Sequence, residues 1–261
     1  MEPQFIDSAD GTRLRVVRWG NGTRDLLVVP GLAEHAGRYP HVAAAFVDRG
    51  WRVSVLELRG HGHSGGKRGH VERWERYSED VRAAAATLRT GWALLGHSMG
   101  GLVCLEAVRT GLAPSRLALS NPLLGVRFPA PRIKVAAAGL LSSIWPTLSL
   151  GNELKSSWLS RDPAVCKAYD DDPLVYSTLT PRWYTEMQGA QQRVLAAAYS
   201  LPLGFFLAPD DPITDTAGAG AYAEKLGAVV HRYPGMLHEP FNELGKEQVF
   251  ADIAAFLDAG G

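Results

Sequence analysis

A disulfide framework and a dominant charge are both missing from this sequence. Only two cysteines occur, Cys104 and Cys166, and because two cannot build such a framework we expect both to be buried thiols. Lys plus Arg and Asp plus Glu are balanced at 27 each. A neutral chain offers no electrostatic reason to bind nucleic acid, so we expect no nucleic-acid partner.

Targeting and membrane-spanning segments are also missing. The first ten residues are acidic and contain neither a basic stretch nor an apolar run, which predicts no signal peptide. The longest largely apolar stretch, Val135 to Trp145, is too short to cross a bilayer and is followed by Pro146. We therefore expect a cytoplasmic protein.

Short apolar runs alternate with helical patterns along much of the chain, which favours a mostly parallel sheet with helices on both faces. A short Gly-Asn-Gly-Thr-Arg link between the first two candidate strands predicts that they form an antiparallel hairpin. The candidate strands are Leu14–Trp19, Asp25–Val29, Trp51–Glu57, Trp92–Leu95, Arg116–Leu119, Leu203–Leu207 and Ala228–Tyr233. The candidate helices are His41–Asp48, Tyr77–Leu88, Gly101–Arg109, Ala217–Leu226 and Lys246–Leu257.

The alternation stops between Asn121 and Ser200, where prolines and helical segments occur and no strand is predicted. A loop of this length without structure is improbable in a compact domain. We therefore predict a core of residues 1–121 and 201–261, with residues 122–200 forming a helical cap over the sheet.

The nucleophile pattern Gly-x-Ser-x-Gly occurs twice, around Ser64 and around Ser98. The chemistry needs a serine on a sharp turn between a buried strand and a helix. Ser98 follows an apolar run and precedes a helical pattern, whereas Ser64 is followed by Gly-Gly-Lys-Arg-Gly. We therefore predict Ser98 as the nucleophile and interpret Ser64 as a loop serine that hydrogen-bonds backbone groups.

A serine hydroxyl needs a base, and the base needs a carboxylate to orient it. In a sheet of this type the partners follow in the order Ser, acid, His. His238 lies after the last strand and is the predicted base. Asp211, Asp210 and Asp215 all follow the strand Leu203–Leu207. Asp211 is favoured because Ile213 supplies an apolar anchor, and the other two remain alternatives.

Attack of a serine on a carbonyl group forms a tetrahedral intermediate, which also needs two backbone N–H donors. Met99, the residue after the nucleophile, is predicted to supply one of them. Leu32, in the loop after the strand Asp25–Val29, is predicted to supply the other, because Pro30 has no N–H.

These motifs resemble those of the monoacylglycerol lipase and lysophospholipase group of α/β-hydrolases. Residues 30–39 resemble the family's His-Gly-x-Gly-Glu-His-x-x-Arg-Tyr oxyanion loop, and residues 59–64 resemble its Arg-Gly-His-Gly-x-Ser loop. Residues 96–101 match its Gly-His-Ser-Met-Gly-Gly turn, and three short motifs in 146–174 resemble its cap. Pro30 and Ala33 depart from the pattern, and the side chain of Leu32 is expected to narrow the acyl pocket.

The resemblance implies the α/β-hydrolase fold and hydrolysis of a single-chain lipid ester, such as a monoacylglycerol or a lysophospholipid, without a cofactor or metal. The alternatives are a general esterase, a thioesterase or a non-catalytic ligand-binding protein of the same fold. A metal site at His61, His63 and His70 is a further alternative, although their spacing is not typical of zinc. The apolar stripe Val135, Leu140, Leu141, Ile144 and Trp145 predicts peripheral membrane contact through the cap, unless it packs on the sheet.

Overall fold

A computed structural model describes residues 2–128 and 132–259, with the side chains of 132–137 left out of the description. The strands are β1 (Glu2–Asp7), β2 (Arg13–Trp19), β3 (Arg24–Val29), β4 (Trp51–Glu57), β5 (Ala93–His97), β6 (Leu117–Ser120), β7 (Leu150–Gly151), β8 (Thr178–Leu179), β9 (Leu203–Leu207) and β10 (Val229–Arg232). The helices are α1 (Pro40–Val47), α2 (Glu75–Ala85), α3 (Met99–Arg109), α4 (Arg132–Ile144), α5 (Pro163–Asp170), α6 (Pro181–Leu195), α7 (Thr216–Lys225) and α8 (Lys246–Asp258).

The main sheet has eight strands in the order β1-β2-β4-β3-β5-β6-β9-β10. Strands β3 to β6, β9 and β10 run parallel, and β1 and β2 form an antiparallel edge. The central strands are buried on both faces, as expected when helices cover a parallel sheet. The predicted mostly parallel sheet is therefore confirmed.

Two hydrophobic clusters, one on each face, hold the helices against the sheet. One cluster includes Val81 of α2 and Leu102 of α3, and the other includes Phe46 of α1 and Ile253 of α8. Burying this apolar surface is the main favourable contribution to folding. The layers fix the carboxyl ends of the parallel strands, which is where this class of fold places its chemistry.

The predicted hairpin between the first two candidate strands is wrong. Strand β2 pairs with β1 on one side and with β4 on the other, so β4 lies between β2 and β3. The link between β2 and β3 passes close to the start of β4, where a Cβ at Gly22 would lie 2.0 Å from the carbonyl oxygen of Gly50. Glycine is required there because a side chain would collide with that backbone.

The segment between β6 and β9 contains α4, α5 and α6 together with a two-stranded antiparallel sheet of β7 and β8. The expectation of a strand-free segment is therefore wrong in this detail, because two-residue strands leave no periodic pattern to read. Helix α6 packs on α4 and on α3. Residues 129–131 of this segment lie outside the described ranges, as do residues 1, 260 and 261 of the predicted core.

Cys104 is buried, as expected, whereas Cys166 is only half-buried in α5. The Sγ atom of Cys166 lies 3.2 Å from the carbonyl oxygen of Ser160. In the described ranges, no helix is both long enough and apolar enough to cross a bilayer.

Candidate active site

Ser98 occupies a one-residue turn between β5 and α3 and has a φ of +51°, in the left-handed region. This conformation is rare for a residue with a side chain and is typical of strained functional turns. Two neighbours must be glycine, because a Cβ at Gly96 would lie 2.8 Å from the Cα atom of Gly101 and one at Gly100 would lie 2.1 Å from the carbonyl oxygen of Val29. The turn therefore holds Ser98 at the carboxyl edge of the sheet.

The structure brings Ser98, His238 and Asp211 together in one hydrogen-bonded series. The Oγ atom of Ser98 lies 2.9 Å from Nε2 of His238, and Nδ1 of His238 lies 2.8 Å from Oδ2 of Asp211. The carboxylate of Asp211 also accepts hydrogen bonds from Thr214 Oγ1 at 2.5 Å and from the Ile213 N–H at 2.7 Å. This arrangement can carry a proton from the serine to the imidazole and stabilise the charge that forms.

The alternative residues have other partners. Asp210 accepts a hydrogen bond from the Gly235 N–H at 2.7 Å. Asp215 caps α7 by accepting a hydrogen bond from the Gly218 N–H at 2.9 Å. Ser64 Oγ donates to the carbonyl oxygen of Glu57 at 2.5 Å and accepts from the Arg15 N–H at 2.8 Å. Each of these side chains therefore stabilises a turn or a helix end.

The two histidines beside Ser98, His238 and His97, have pKa values that are shifted in opposite directions. Burial lowers the pKa of His238, but the carboxylate of Asp211 outweighs burial and leaves that pKa above its ordinary value. Burial raises the pKa of Asp211, but His238 and the surrounding hydrogen bonds outweigh it and lower that pKa. Burial lowers the pKa of His97 to about 4. Of these two imidazoles, His97 is therefore neutral at pH 7 and His238 is poised to gain a proton.

The two predicted oxyanion donors belong to segments that adjoin Ser98. Met99 is the first residue of α3, where the helix end favours negative charge. The loop of Leu32 approaches closely, since a Cβ at Gly31 would lie 3.2 Å from the Cβ atom of Ser98. Among the described residues, neither the Leu32 nor the Met99 N–H donates a hydrogen bond to a protein group. Both N–H groups therefore remain candidates for an oxyanion hole.

A buried charge network that was not predicted from the sequence joins the Leu32 loop to the His238 loop. Arg38 donates to Oε1 of Glu34 at 2.9 Å and to both carboxylate oxygens of Glu239 at 3.0 and 2.8 Å. Glu34 in turn accepts from the Gly31 N–H at 2.6 Å and from the Tyr39 hydroxyl at 2.6 Å. The motifs Glu-His-x-x-Arg-Tyr and His-Glu contained these residues, but their contact across the fold is visible only in three dimensions.

A cavity of about 410 Å³ opens beside Ser98 and His238. Its wall is mainly apolar and combines core residues with residues of the segment between β6 and β9. The charged residues that line it are three glutamates, Glu34, Glu153 and Glu239, without a lining Lys or Arg in the described ranges. The apolar lining residues include Leu32, Leu123, Val126, Leu150, Leu154, Leu159, Leu179, Trp183, Met187 and Ile213.

The three clustered histidines of the sequence point to different partners. His61 contacts the Tyr176 hydroxyl at 2.9 Å, and His63 contacts Arg15 at 3.0 Å. His70 contacts the Thr180 hydroxyl at 3.0 Å. Within residues 2–128 and 132–259, no group of three or more His, Cys, Asp or Glu side chains is arranged to hold a metal ion.

Comparison with known proteins gives one consistent family. Residues 22–245 match the family model Hydrolase_4, described as serine aminopeptidase, S33. The monoacylglycerol lipase of Mycolicibacterium smegmatis is 33% identical over 246 residues, covering 89% of this chain and 87% of that protein. Phospholipase YtpA of Bacillus subtilis is 29% identical over 244 residues, covering 89% and 94%.

A solved structure, the monoacylglycerol lipase of Paleococcus ferrophilus, has a TM-score of 0.87 to this chain at 28% identity, with 98% of each chain covered. Among the curated relatives, an uncharacterized abhydrolase domain-containing protein of Dictyostelium discoideum is much longer. It is 29% identical, and this chain spans 26% of its length.

Proposed function

The chain belongs to the Hydrolase_4 family, serine aminopeptidase S33, and we propose that it hydrolyses the ester bond of lipids with a single acyl chain. It is a serine ester hydrolase with the α/β-hydrolase fold, and the resemblance stated from its motifs is confirmed. The observation that carries the proposal is the series Ser98, His238 and Asp211 beside a largely apolar cavity.

The proposed mechanism has two steps that share one base. His238 takes the proton of Ser98 Oγ as that oxygen attacks the ester carbonyl, and then gives the proton to the leaving alcohol. Water, deprotonated by the same imidazole, then attacks the acyl-enzyme ester and releases the fatty acid and free Ser98. The N–H groups of Leu32 and Met99 stabilise the oxyanion in both steps, and Asp211 stabilises the imidazolium.

The cavity favours a neutral head group over one that carries phosphate. Its apolar wall suits an acyl chain, because each methylene removed from water contributes about 0.8 kcal/mol. A phosphate would meet net negative charge, because the single guanidinium of Arg38 is shared between Glu34 and Glu239 and a third carboxylate, Glu153, also lines the wall. Since relatives include both a monoacylglycerol lipase and a phospholipase, this charge pattern is the reason to propose a monoacylglycerol as the preferred substrate.

Turnover of a matched set of lauroyl substrates tests the function. The set is 1-lauroylglycerol, lauroyl lysophosphatidylcholine, lauroyl lysophosphatidate, p-nitrophenyl laurate and a lauroyl thioester. We expect the highest kcat/KM on 1-lauroylglycerol among the lipids, with all turnover lost in Ser98→Ala. A preference for a lysophospholipid or the thioester would replace the proposed substrate with that alternative. Lauroyl binding without turnover of any of the five would indicate a non-catalytic ligand-binding protein.

We further propose that residues 122–200 form a cap over the core of residues 1–121 and 201–261, and that the cap contacts membrane surfaces. Its helix α4 contributes Ala138 to the cavity wall. The same helix and the turn after it expose Leu140, Ile144 and Trp145, at 63%, 72% and 60%. Exposed large apolar side chains in one place are typical of membrane contact. The side chain of Val135 lies outside the described set.

Liposome flotation tests the membrane contact. Leu141, also predicted in the stripe, is half-buried, so the informative variant is the double change Leu140→Asp and Ile144→Asp. We expect it to reduce the liposome-bound fraction several-fold. The control is Leu244→Asp. Leu244 is similarly exposed at 58%, but it lies outside the proposed cap, in the segment just before α8. Equal flotation of wild type and both variants would exclude the contact.

A further inference from the structure

Asn121 follows directly after β6 and is buried without measurable exposure. Its φ is +40°, in the left-handed region, where residues other than glycine are uncommon. A buried polar side chain in a strained backbone conformation needs compensation from its contacts. Those contacts join Asn121 and its turn to the segments that carry Ser98, Asp211 and His238.

The side-chain amide of Asn121 joins two loops that carry proposed catalytic residues. Its Nδ2 atom donates to the carbonyl oxygens of Leu237 at 3.3 Å and of His238 at 3.0 Å. Its Oδ1 atom accepts from the Ala208 N–H at 2.8 Å, at the end of β9 and three residues before Asp211. One planar amide therefore fixes the distance between the acid loop and the histidine loop.

The backbone around Asn121 contacts the third component. The Ser98 N–H donates to the carbonyl oxygen of Ser120 at 2.9 Å, and the Leu123 N–H donates to the carbonyl oxygen of Ser98 at 2.9 Å. The turn from Ser120 to Leu123 thus contacts Ser98 through the main chain and the two loops through the Asn121 side chain. Among the described residues, these hydrogen bonds link all three proposed catalytic segments to a single turn.

We propose that Asn121 is a positioning residue that sets the placement of His238 between Ser98 and Asp211, which rests on the proposed function of those three residues. Asparagine suits the position because it offers two donors and an acceptor on a short side chain. Aspartate keeps the acceptor for Ala208 but turns a carboxylate oxygen toward the carbonyls of Leu237 and His238. Alanine removes all three bonds and leaves the two carbonyls and the Ala208 N–H without this partner.

The test compares Asn121→Ala and Asn121→Asp with Ile253→Ala in α8, a fully buried residue on the opposite face of the sheet from α3. We expect both Asn121 variants to lose about 100-fold in kcat on p-nitrophenyl butyrate with KM changed less than threefold, because orientation of the base fails while binding remains. Ile253→Ala is expected to lose thermal stability but to keep kcat within threefold below its melting temperature.

A second readout follows His238 itself. The pKa of His238 is raised by its contact with Asp211, so looser placement moves the acid limb of kcat/KM toward lower pH in Asn121→Ala. The proton NMR resonance of the imidazole proton between Nδ1 of His238 and Asp211 should also broaden or shift in Asn121→Ala. This spectrum can be recorded without turnover. If Asn121→Asp does not fold, Asn121→Ala and this resonance decide the question.

The two hypotheses fail in different ways. Wild-type kcat and an unchanged acid limb in folded Asn121→Ala, with turnover still abolished in Ser98→Ala, would overturn the positioning role alone. A kcat loss in Ile253→Ala equal to that in Asn121→Ala would reduce Asn121 to a contribution to stability. Full turnover in Ser98→Ala would overturn the proposed function instead.

Discussion

Replacing Arg38 with methionine should destabilise the protein in a pH-dependent way. The guanidinium of Arg38 lies between the carboxylates of Glu34 and Glu239, and the three side chains are 9%, 4% and 3% exposed. Methionine keeps much of the buried volume and removes the charge. Removing one partner of a buried ion pair typically costs about 3–5 kcal/mol, because the remaining charge stays buried without compensation.

The pH dependence follows from Glu239. Burial raises its pKa, but Arg38 outweighs burial and holds the pKa below the ordinary 4.5. In the wild type, the contribution of this carboxylate to stability is therefore present above that pH and is lost as the pH falls through the lowered pKa. In Arg38→Met the largest pKa-lowering interaction is lost while burial remains, so the pKa of Glu239 rises and the carboxylate opposes folding as the pH increases. The loss of stability should be larger at about pH 8 than at about pH 5.

Urea unfolding of both proteins at the two pH values measures this difference. The matched control is Arg232→Met, whose partner is Glu224 and whose pair is 49% and 62% exposed. Such surface pairs contribute less than about 1 kcal/mol, so the control should change little at either pH. A loss in Arg38→Met no greater than that in Arg232→Met, or one equal at both pH values, would refute the reasoning.

Three further predictions concern the active site. Asp211 raises the pKa of His238 above its ordinary 6.5, and only the neutral imidazole accepts a proton. We therefore expect kcat/KM to fall as the pH drops through a value above 6.5. A pH–rate profile that is flat through this range would contradict the prediction. Ser64→Ala should lose about 1–3 kcal/mol in urea unfolding, through its bonds to Glu57 and Arg15, yet keep kcat/KM within about threefold. Leu32→Ala should enlarge the cavity while keeping the backbone N–H of residue 32. We therefore expect kcat/KM on branched acyl esters to rise relative to kcat/KM on straight-chain esters. If the ratio of these two values does not change, Leu32 does not form part of the wall around the acyl chain.

The buried strands were predictable because parallel strands covered on both faces are nearly continuous apolar runs. Strand β4 begins and ends at the predicted Trp51 and Glu57. Strand β1 could not be predicted in the same way. It is an edge strand whose residues are exposed except for the half-buried Ile6, so it has no apolar alternation. Because β2 pairs with β1 on one side and β4 on the other, it does not form the predicted hairpin with β3.

Some residues of the candidate site could likewise be predicted from the sequence, and others could not. Ser98, Asp211 and His238 could be proposed from the sequence because each follows the end of a strand and the ends of parallel strands meet at one edge of a sheet. Arg38 with Glu239, and Asn121 with the His238 loop, are contacts between residues that are 201 and 117 positions apart. No local pattern encodes such pairs, because they depend on which loops the fold brings together.

Labelling with a fluorophosphonate, followed by peptide mapping, tests the central chemical claim most directly, because only an activated serine beside a base reacts quickly with it. The account predicts one adduct on Ser98 in the wild type, none at that site in Ser98→Ala, and labelling slowed by about 10³-fold or more in His238→Ala. An adduct on Ser64, or no adduct on a folded protein, would contradict it.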